Sequence, residues 1–235
     1  MARIAAIIPV LDEEVAIADV VAAMRAHAST VIVIDGNSKD ATAARAKAAG
    51  AIVIVEPRRG YGRAIQTGIA AIGPEFDIIV FVDGDGSDCI DLVPRLLAPI
   101  LAGDADFVHG TRLKGEREAG ALSLPQIVAG HLAGALIRLL YGVRYTDMSP
   151  FRALRRDALE RLGMRDETFG WNLEMQMRVA ALGLRIVEVP VGQRRRQGGV
   201  SKVSGNVRVA LRAVWVITTT FARLAAALRR ERPAA

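Results

Sequence analysis

Short apolar runs alternate with longer amphipathic stretches through the first half of the chain. Ile4–Val10 is an unbroken apolar run, the pattern of a strand buried on both faces of a sheet. Residues 12–26 follow as a helix, with Asp12 as its N-cap and Glu13 and Glu14 in the first turn, where carboxylates suit the helix dipole. Residues 31–34 predict a second buried strand, and 38–49 a helix that Gly50 ends. Ile52–Val55 reads as a third strand, and 60–72 as a third helix stopped at Gly73-Pro74. A fourth strand over 77–82 runs directly into Asp83; 90–101 is helical, and 106–110 is a fifth short strand. This alternation predicts an α/β fold with a mostly parallel central sheet and right-handed crossovers. Such sheets bind ligands beyond the carboxyl ends of their strands. Asp12-Glu13-Glu14, Asp35-Gly36-Asn37-Ser38 and Asp83-Gly84-Asp85 all fall there.

The second half is less regular. Residues 114–122 carry glycines and charges and read as a mobile loop, followed by a helix over Leu124–Tyr141 and another over 171–182. Residues 185–191 are strand-like, 193–204 form a basic loop, and a long helix spans about 205–230. No internal repeat or low-complexity linker interrupts the chain. It divides into one domain over 1–204 and a basic amphipathic helix over 205–235, part of that domain or packed on it.

Composition narrows the reading. With 51% hydrophobic and 24% charged residues in 235, the chain can bury a large core. Aromatics are only 5%, so Ala, Val, Ile and Leu must build that core. The single cysteine, Cys89, excludes an internal disulfide framework and a cysteine-based zinc site, and fits a reducing compartment. The net charge of +6 suits an anionic partner, and the Arg194-Arg195-Arg196 triplet localises that charge. Without an aromatic platform or zinc-finger spacing, nucleic acid is not the expected partner. Residues 213–222, between Arg212 and Arg223, would cover ~15 Å as a helix, about half a bilayer core. The expected location is therefore the cytoplasm, or the surface of its membrane.

Asp83-Gly84-Asp85-Gly86-Ser87-Asp88 carries the chemistry. Carboxylates crowded in a cleft repel one another unless a cation neutralises them. Mg²⁺ or Mn²⁺ suits such ligands and bridges to a diphosphate. The plain alternative is a solvated Asp/Gly turn.

Several motifs in order resemble those of the family 2 glycosyltransferases of the GT-A fold. The similarity is strongest to polyprenyl-phosphate (dolichyl-phosphate) mannose and glucose synthases. They are 7–14, 34–42, Gly60-Tyr61-Gly62-Arg63-Ala64 with Gly68, Gly110-Thr111-Arg112, 147–152, and Glu188-Val189-Pro190-Val191 with 199–204. The resemblance covers about residues 4–205. It implies that Pro9, Leu11, Glu13 and Asp35 line a nucleoside pocket. Asp83, Gly84 and Asp85 would meet the donor, with Asp83, Asp85 and Ser87 on the metal side. Arg112, Lys202 and the arginines Arg194 and Arg196 would hold phosphate charge. Gly36, Asn37 and Ser87 depart from the usual family residues. The implied reaction is inverting transfer of a hexose from a UDP- or GDP-hexose, with polyprenyl phosphate as the leading acceptor and a soluble small molecule or sugar as the rival.

The catalytic set expected on this reading is Asp85, Asp147, Arg112 and Lys202. Asp147 is the candidate general base for a hydroxyl acceptor; a turn cap at Tyr145-Thr146-Asp147 explains it equally well. A nucleotidyltransferase would carry a Gly-rich basic loop after its first strand, whereas this loop is acidic; a non-catalytic nucleotide-binding module is the remaining class. His27, His109 and His131 lack ligand spacing and read as surface or filler. Cys89, Phe169 and Trp171 read as core, although the position of Phe169 and Trp171 just before a helix carrying Glu174 leaves room for them to contact an acceptor. The last helix fits two placements equally, docked on the core or lying on anionic lipid.

Overall fold

The computed structural model describes residues 2–198 and 207–231, with the side chains of 207–214 and 231 outside that description. Seven strands form one sheet in the order β3-β2-β1-β4-β6-β5-β7. They are β1 Ile4–Val10, β2 Thr30–Asp35, β3 Ile52–Val55, β4 Ile78–Phe81, β5 Phe107–Thr111, β6 Arg152–Arg155 and β7 Ile186–Pro190. All pairings are parallel except those of β6, which runs antiparallel between β4 and β5.

Alternating side chains of the buried strands feed two cores. On one face Ala6, Ile8 and Val10 of β1, with Val31 and Val33 of β2, pack under α1 (Ile17–Met24), α2 (Thr42–Ala48) and α4 (Val93–Leu101). On the other, Ile7, Ile32, Ile34, Ile79, Phe81 and Phe107 pack under α3 (Tyr61–Ala71), α5 (Leu124–Tyr141), α6 (Arg156–Leu162), α7 (Trp171–Ala181) and α8 (Val207–Glu231). Each fully buried Ile or Phe contributes ~1.5–3 kcal/mol of apolar transfer. The result is a three-layer α/β sandwich.

Several boundaries move for physical reasons. The first helix begins at Ile17, not at Asp12. Asp12 instead takes a left-handed φ of 57° and accepts a hydrogen bond from the Lys39 amide at 2.8 Å, so it ties two loops together and caps nothing. The second helix starts only at Thr42, because residues 36–41 complete the loop after β2. A single 3-10 turn, Ile90–Leu92, precedes α4. The predicted mobile loop over 114–122 bonds to the basic segment: Gln193 donates to the Glu116 carbonyl at 2.9 Å, and Glu118 to the Gln193 carbonyl at 3.0 Å.

β6 and α6 have no counterpart in the sequence reading. Arg152 opens β6 yet is 1% exposed, and a buried arginine breaks the hydrophobic pattern that would reveal a central strand. Its guanidinium spends its donors on main-chain carbonyls of Ser149, Pro150 and Asn172. Burial pushes it down to about 10, with nearby Tyr61, Tyr145, Asp83 and Asp147 acting the other way.

Among the described residues, α5 is the helix long and apolar enough to cross a membrane by length and composition, and not the 213–222 segment. Its Ala129, Ala133 and Ile137 are built into the core beside α7 and α8, as in a core helix. The described part of α8 docks through Ile217, Phe221, Leu224, Ala225 and Leu228, while Trp215 and Val216 face outward.

Candidate active site at the carboxyl edge of the sheet

The carboxyl ends of β1, β2, β4, β5 and β7 share one edge, and the amino end of antiparallel β6 joins them. The turns at 11–14, 35–42, 82–88, 111–117, 145–151 and 191–198 therefore meet there.

The β1 and β2 turns lock together. Asp35 is 3% exposed; its carboxylate accepts the Ser38 amide at 3.2 Å and the Ser38 hydroxyl, and that hydroxyl accepts the Asp12 amide at 2.9 Å. The Glu13 amide donates to the Thr42 hydroxyl at 2.8 Å, which fixes a buried Glu13 side chain at the strand tip. Glu13 Oε1 pairs with Arg196, whereas Oε2 is buried without a hydrogen bond. A buried carboxylate oxygen without a donor is costly and marks an acceptor for some further group. Pro9 and Leu11, both half-buried, flank the same turn.

The β4 turn carries three acids. Gly84 must be glycine because a Cβ there would lie 2.3 Å from Val10 Cγ1. Ser87 clamps Asp85, its amide and hydroxyl donating to Asp85 Oδ1 at 3.0 and 2.6 Å. Asp88 is turned inward beneath the loop and accepts the Asp83 amide at 2.9 Å. Burial, reinforced by the neighbouring Asp88 and Asp85 carboxylates, pushes the Asp83 carboxyl well above the usual range. Burial likewise pushes Asp88 up to about 7.

Tyr61 reaches this cluster, its hydroxyl donating to Asp83 Oδ1 at 3.3 Å. The Gly60-Tyr61-Gly62 motif makes that reach possible. A Cβ on Gly62 would lie 2.1 Å from the Asp166 carbonyl, so only glycine lets the start of α3 press against the 166–168 loop. Phe169 stacks on Tyr61 at 6.0 Å and is 69% exposed, which corrects its assignment to the core; Trp171, 1% exposed, is core as expected.

Across the edge, Arg112 and Asp147 form a buried bidentate pair. Arg112 Nε and Nη2 donate to the two Asp147 oxygens, both at 2.7 Å, and the Arg112 amide adds a bond at 3.0 Å. Burial alone would raise the Asp147 carboxyl, but Arg112 overrides it and holds it at about 2. A carboxylate so engaged is a poor proton acceptor, and this geometry argues against Asp147 as a general base. His109 sits behind the pair. It is 0% exposed and not the filler expected; its Nε2 and the Gln176 amide meet the Asp147 carbonyl at 3.0 and 2.8 Å. Glu188 braces the same segment by accepting the Thr146 amide at 2.7 Å. The sequence offers no local signal for His109 or Gln176, whose partner lies on another element.

The three arginines of the basic loop separate. Arg194 pairs outward with Asp91 at 2.7 Å, Arg195 bonds to Glu118 and Ala119, and Arg196 reaches the acids. Lys202 lies outside the described residues. Glu174 is committed to Arg178 and to the Arg165 and Asp166 amides. Cys89 is buried, and burial pushes its thiol up, as suits a packing residue.

Donors for a divalent ion are present at Asp83 and Asp85. Among the described residues no three His, Cys, Asp or Glu converge as a self-sufficient metal cage. That fits an ion held by one or two carboxylates together with substrate phosphates.

The sequence profile described as glycosyl transferase family 2 matches residues 5–163. The chain belongs to that family. A relative named as an uncharacterized glycosyltransferase of Mycobacterium tuberculosis is 38% identical over 211 residues, covering 88% of this chain and 93% of that one. The undecaprenyl-phosphate mannosyltransferase of Micrococcus luteus is 31% identical over 192 residues, covering 76% and 77%. Among solved structures, glucosyl-3-phosphoglycerate synthase from Mycobacterium tuberculosis, in complex with Mn²⁺, UDP-glucose and phosphoglyceric acid, matches with a TM-score of 0.75 at 23% identity. That match covers 94% of this chain and 80% of the other. It shows the shared GT-A fold. As a family 2 glycosyltransferase, the chain thus carries its acids on the strand tips of a GT-A sheet.

Proposed function

We propose that this family 2 glycosyltransferase moves a hexose from a nucleoside diphosphate to a polyprenyl phosphate, with inversion and with Mg²⁺ or Mn²⁺ bound at the β4 turn. The observation that carries the proposal is the gathering of Glu13, Asp35, Asp83 and Asp85 on three adjacent strand tips. Glu13, through its unbonded Oε2, and Asp35 accept from the base or ribose, beside Pro9 and Leu11. Asp85, with Asp83 next to it, would hold the ion, which when bound would supply positive charge to the departing diphosphate. Ser87 orients Asp85, Tyr61 orients Asp83, and Arg112 is aimed by Asp147. Such fixed donors favour the transition state because they need no rearrangement as charge develops.

The state of Asp147 supports a phosphate acceptor. A hydroxyl acceptor needs a carboxylate to take its proton, and Asp147 is spent on Arg112. A phosphate acceptor is already ionised at neutral pH and needs no base. The naming of the Micrococcus luteus relative supports the same acceptor class. The rival, a soluble hydroxyl acceptor, draws support from the phosphoglyceric acid bound by the structural neighbour.

The test is sugar transfer from UDP- and GDP-hexoses, with Mg²⁺ or Mn²⁺, to undecaprenyl phosphate and in parallel to phosphoglyceric acid. Lipid-linked product with metal-dependent release of nucleoside diphosphate is expected, and Asp85→Ala should lower turnover by roughly 10²–10³. Product on the hydroxyl acceptor alone, or an undiminished Asp85→Ala enzyme, sinks the proposal.

A further inference from the structure

Residues 193–198 leave β7 and cross the two acidic turns. Main-chain bonds hold them there: the Arg194 amide donates to the Ser87 carbonyl at 2.9 Å, and the Gln197 amide to the Asp85 carbonyl at 3.1 Å. From this strap the Arg196 guanidinium spans two strand tips. Nη2 pairs with Glu13 Oε1, Nη1 lies 3.3 Å from Asp85 Oδ2, and Nε donates to the Gly198 carbonyl at 2.7 Å. The side chains are 28% exposed for Arg196, 8% for Glu13 and 14% for Asp85, so water screens the attraction only in part.

Asp85 offers its oxygens unequally. Oδ1 is held by the amide and hydroxyl of Ser87, whereas Oδ2 faces Arg196. A cation approaching the less engaged oxygen meets the guanidinium, and two cations on one carboxylate oxygen repel each other.

We propose that Arg196 is a resident cation of the donor site, displaced by the divalent ion, so that metal capture releases its guanidinium toward the donor phosphates. The inference rests on the metal-assisted reading of Asp85 given above. Because the strap is held by its own amides, the exchange needs only a side-chain swing. The exchange adds one positive charge at the acids, since a dication takes the place of a single guanidinium charge.

The experiment titrates Mn²⁺ alone, without nucleotide, into wild type, Arg196→Gln, Arg196→Met, Arg196→Lys and Asp85→Asn. Binding is read by calorimetry and by the paramagnetic resonance of free Mn²⁺. Arg196→Gln should bind Mn²⁺ roughly fivefold to tenfold tighter, the scale of losing one partly exposed competing ion pair. Arg196→Lys keeps the charge and should stay near wild type. Arg196→Met repeats the neutral substitution with a side chain that does not ligate the ion through oxygen, and should also bind tighter. Thermal melts of each variant verify folding. Unchanged or weaker Mn²⁺ binding in both neutral variants, with Asp85→Asn defective, overturns the exchange alone. Undiminished binding in Asp85→Asn removes the metal reading of Asp85 and this inference with it.

Discussion

The tips of β1, β2 and β4 carry Glu13, Asp35, Asp83, Asp85 and Asp88, and burial together with their acidic neighbours on the β4 turn pushes the Asp83 and Asp88 carboxyls up. At the tips of β5 and β6, a similar depth of burial holds Arg112 and Asp147 in a bidentate pair, and Asp147 is pushed down to about 2. The first edge sets several acids against the single guanidinium of Arg196, whereas the second is balanced within itself by one bidentate pair. A site that must bind and release a charged donor stores its strain where the ligand arrives. It keeps the groups that orient the reaction locked by partners of their own.

The largest effect should come from breaking the balanced edge. Asp147→Ala strands a buried guanidinium and should cost about 3–5 kcal/mol in urea unfolding. A loss below ~1 kcal/mol would mean that the pair is not buried in solution, and the comparison would fail.

Next in size is a pH effect centred on His109. Burial holds its imidazole down at about 3, against an unfolded value near 6.5, with Arg152 acting in the same direction. Between those values the unfolded chain binds a proton that the folded chain does not. Stability from this group is therefore full above pH 6.5 and lost as pH falls toward 3, with a slope of up to ~1.4 kcal/mol per unit. His109→Gln should remove that slope, which urea midpoints at pH 7, 6 and 5 would reveal. Parallel pH profiles for the variant and wild type would place the ring in water.

The smallest effect has the opposite sign. Asp83→Asn relieves repulsion from Asp85 and Asp88 and should raise stability by ~1 kcal/mol while lowering turnover. A clear destabilisation would instead make Asp83 part of the structural frame.

Much of the acid-rich edge was legible because its order is local. The runs of β1, β2 and β4 show their strands, and the acids follow directly at each tip, bonded mostly within a few residues, as Ser38 is to Asp35 and Ser87 to Asp85. The balanced edge was less so. Arg112 was visible as a motif, but its partner lies 35 residues on, and Gln176 reaches the Asp147 carbonyl across 29. For Asp147 the sequence left a base and a turn cap equally open, because nothing local shows that Arg112 takes both of its oxygens.

The sequence by itself therefore determined the alternation of strands and helices and the acidic strand tips. Tertiary structure decided the antiparallel insertion of β6, the burial of Arg152 and His109, and the choice of Arg196 over Arg194 for the acids. The reason is physical. Periodicity and turn chemistry act between neighbours along the chain. Which charge finds which partner, and whether water reaches it, is fixed only when distant segments pack.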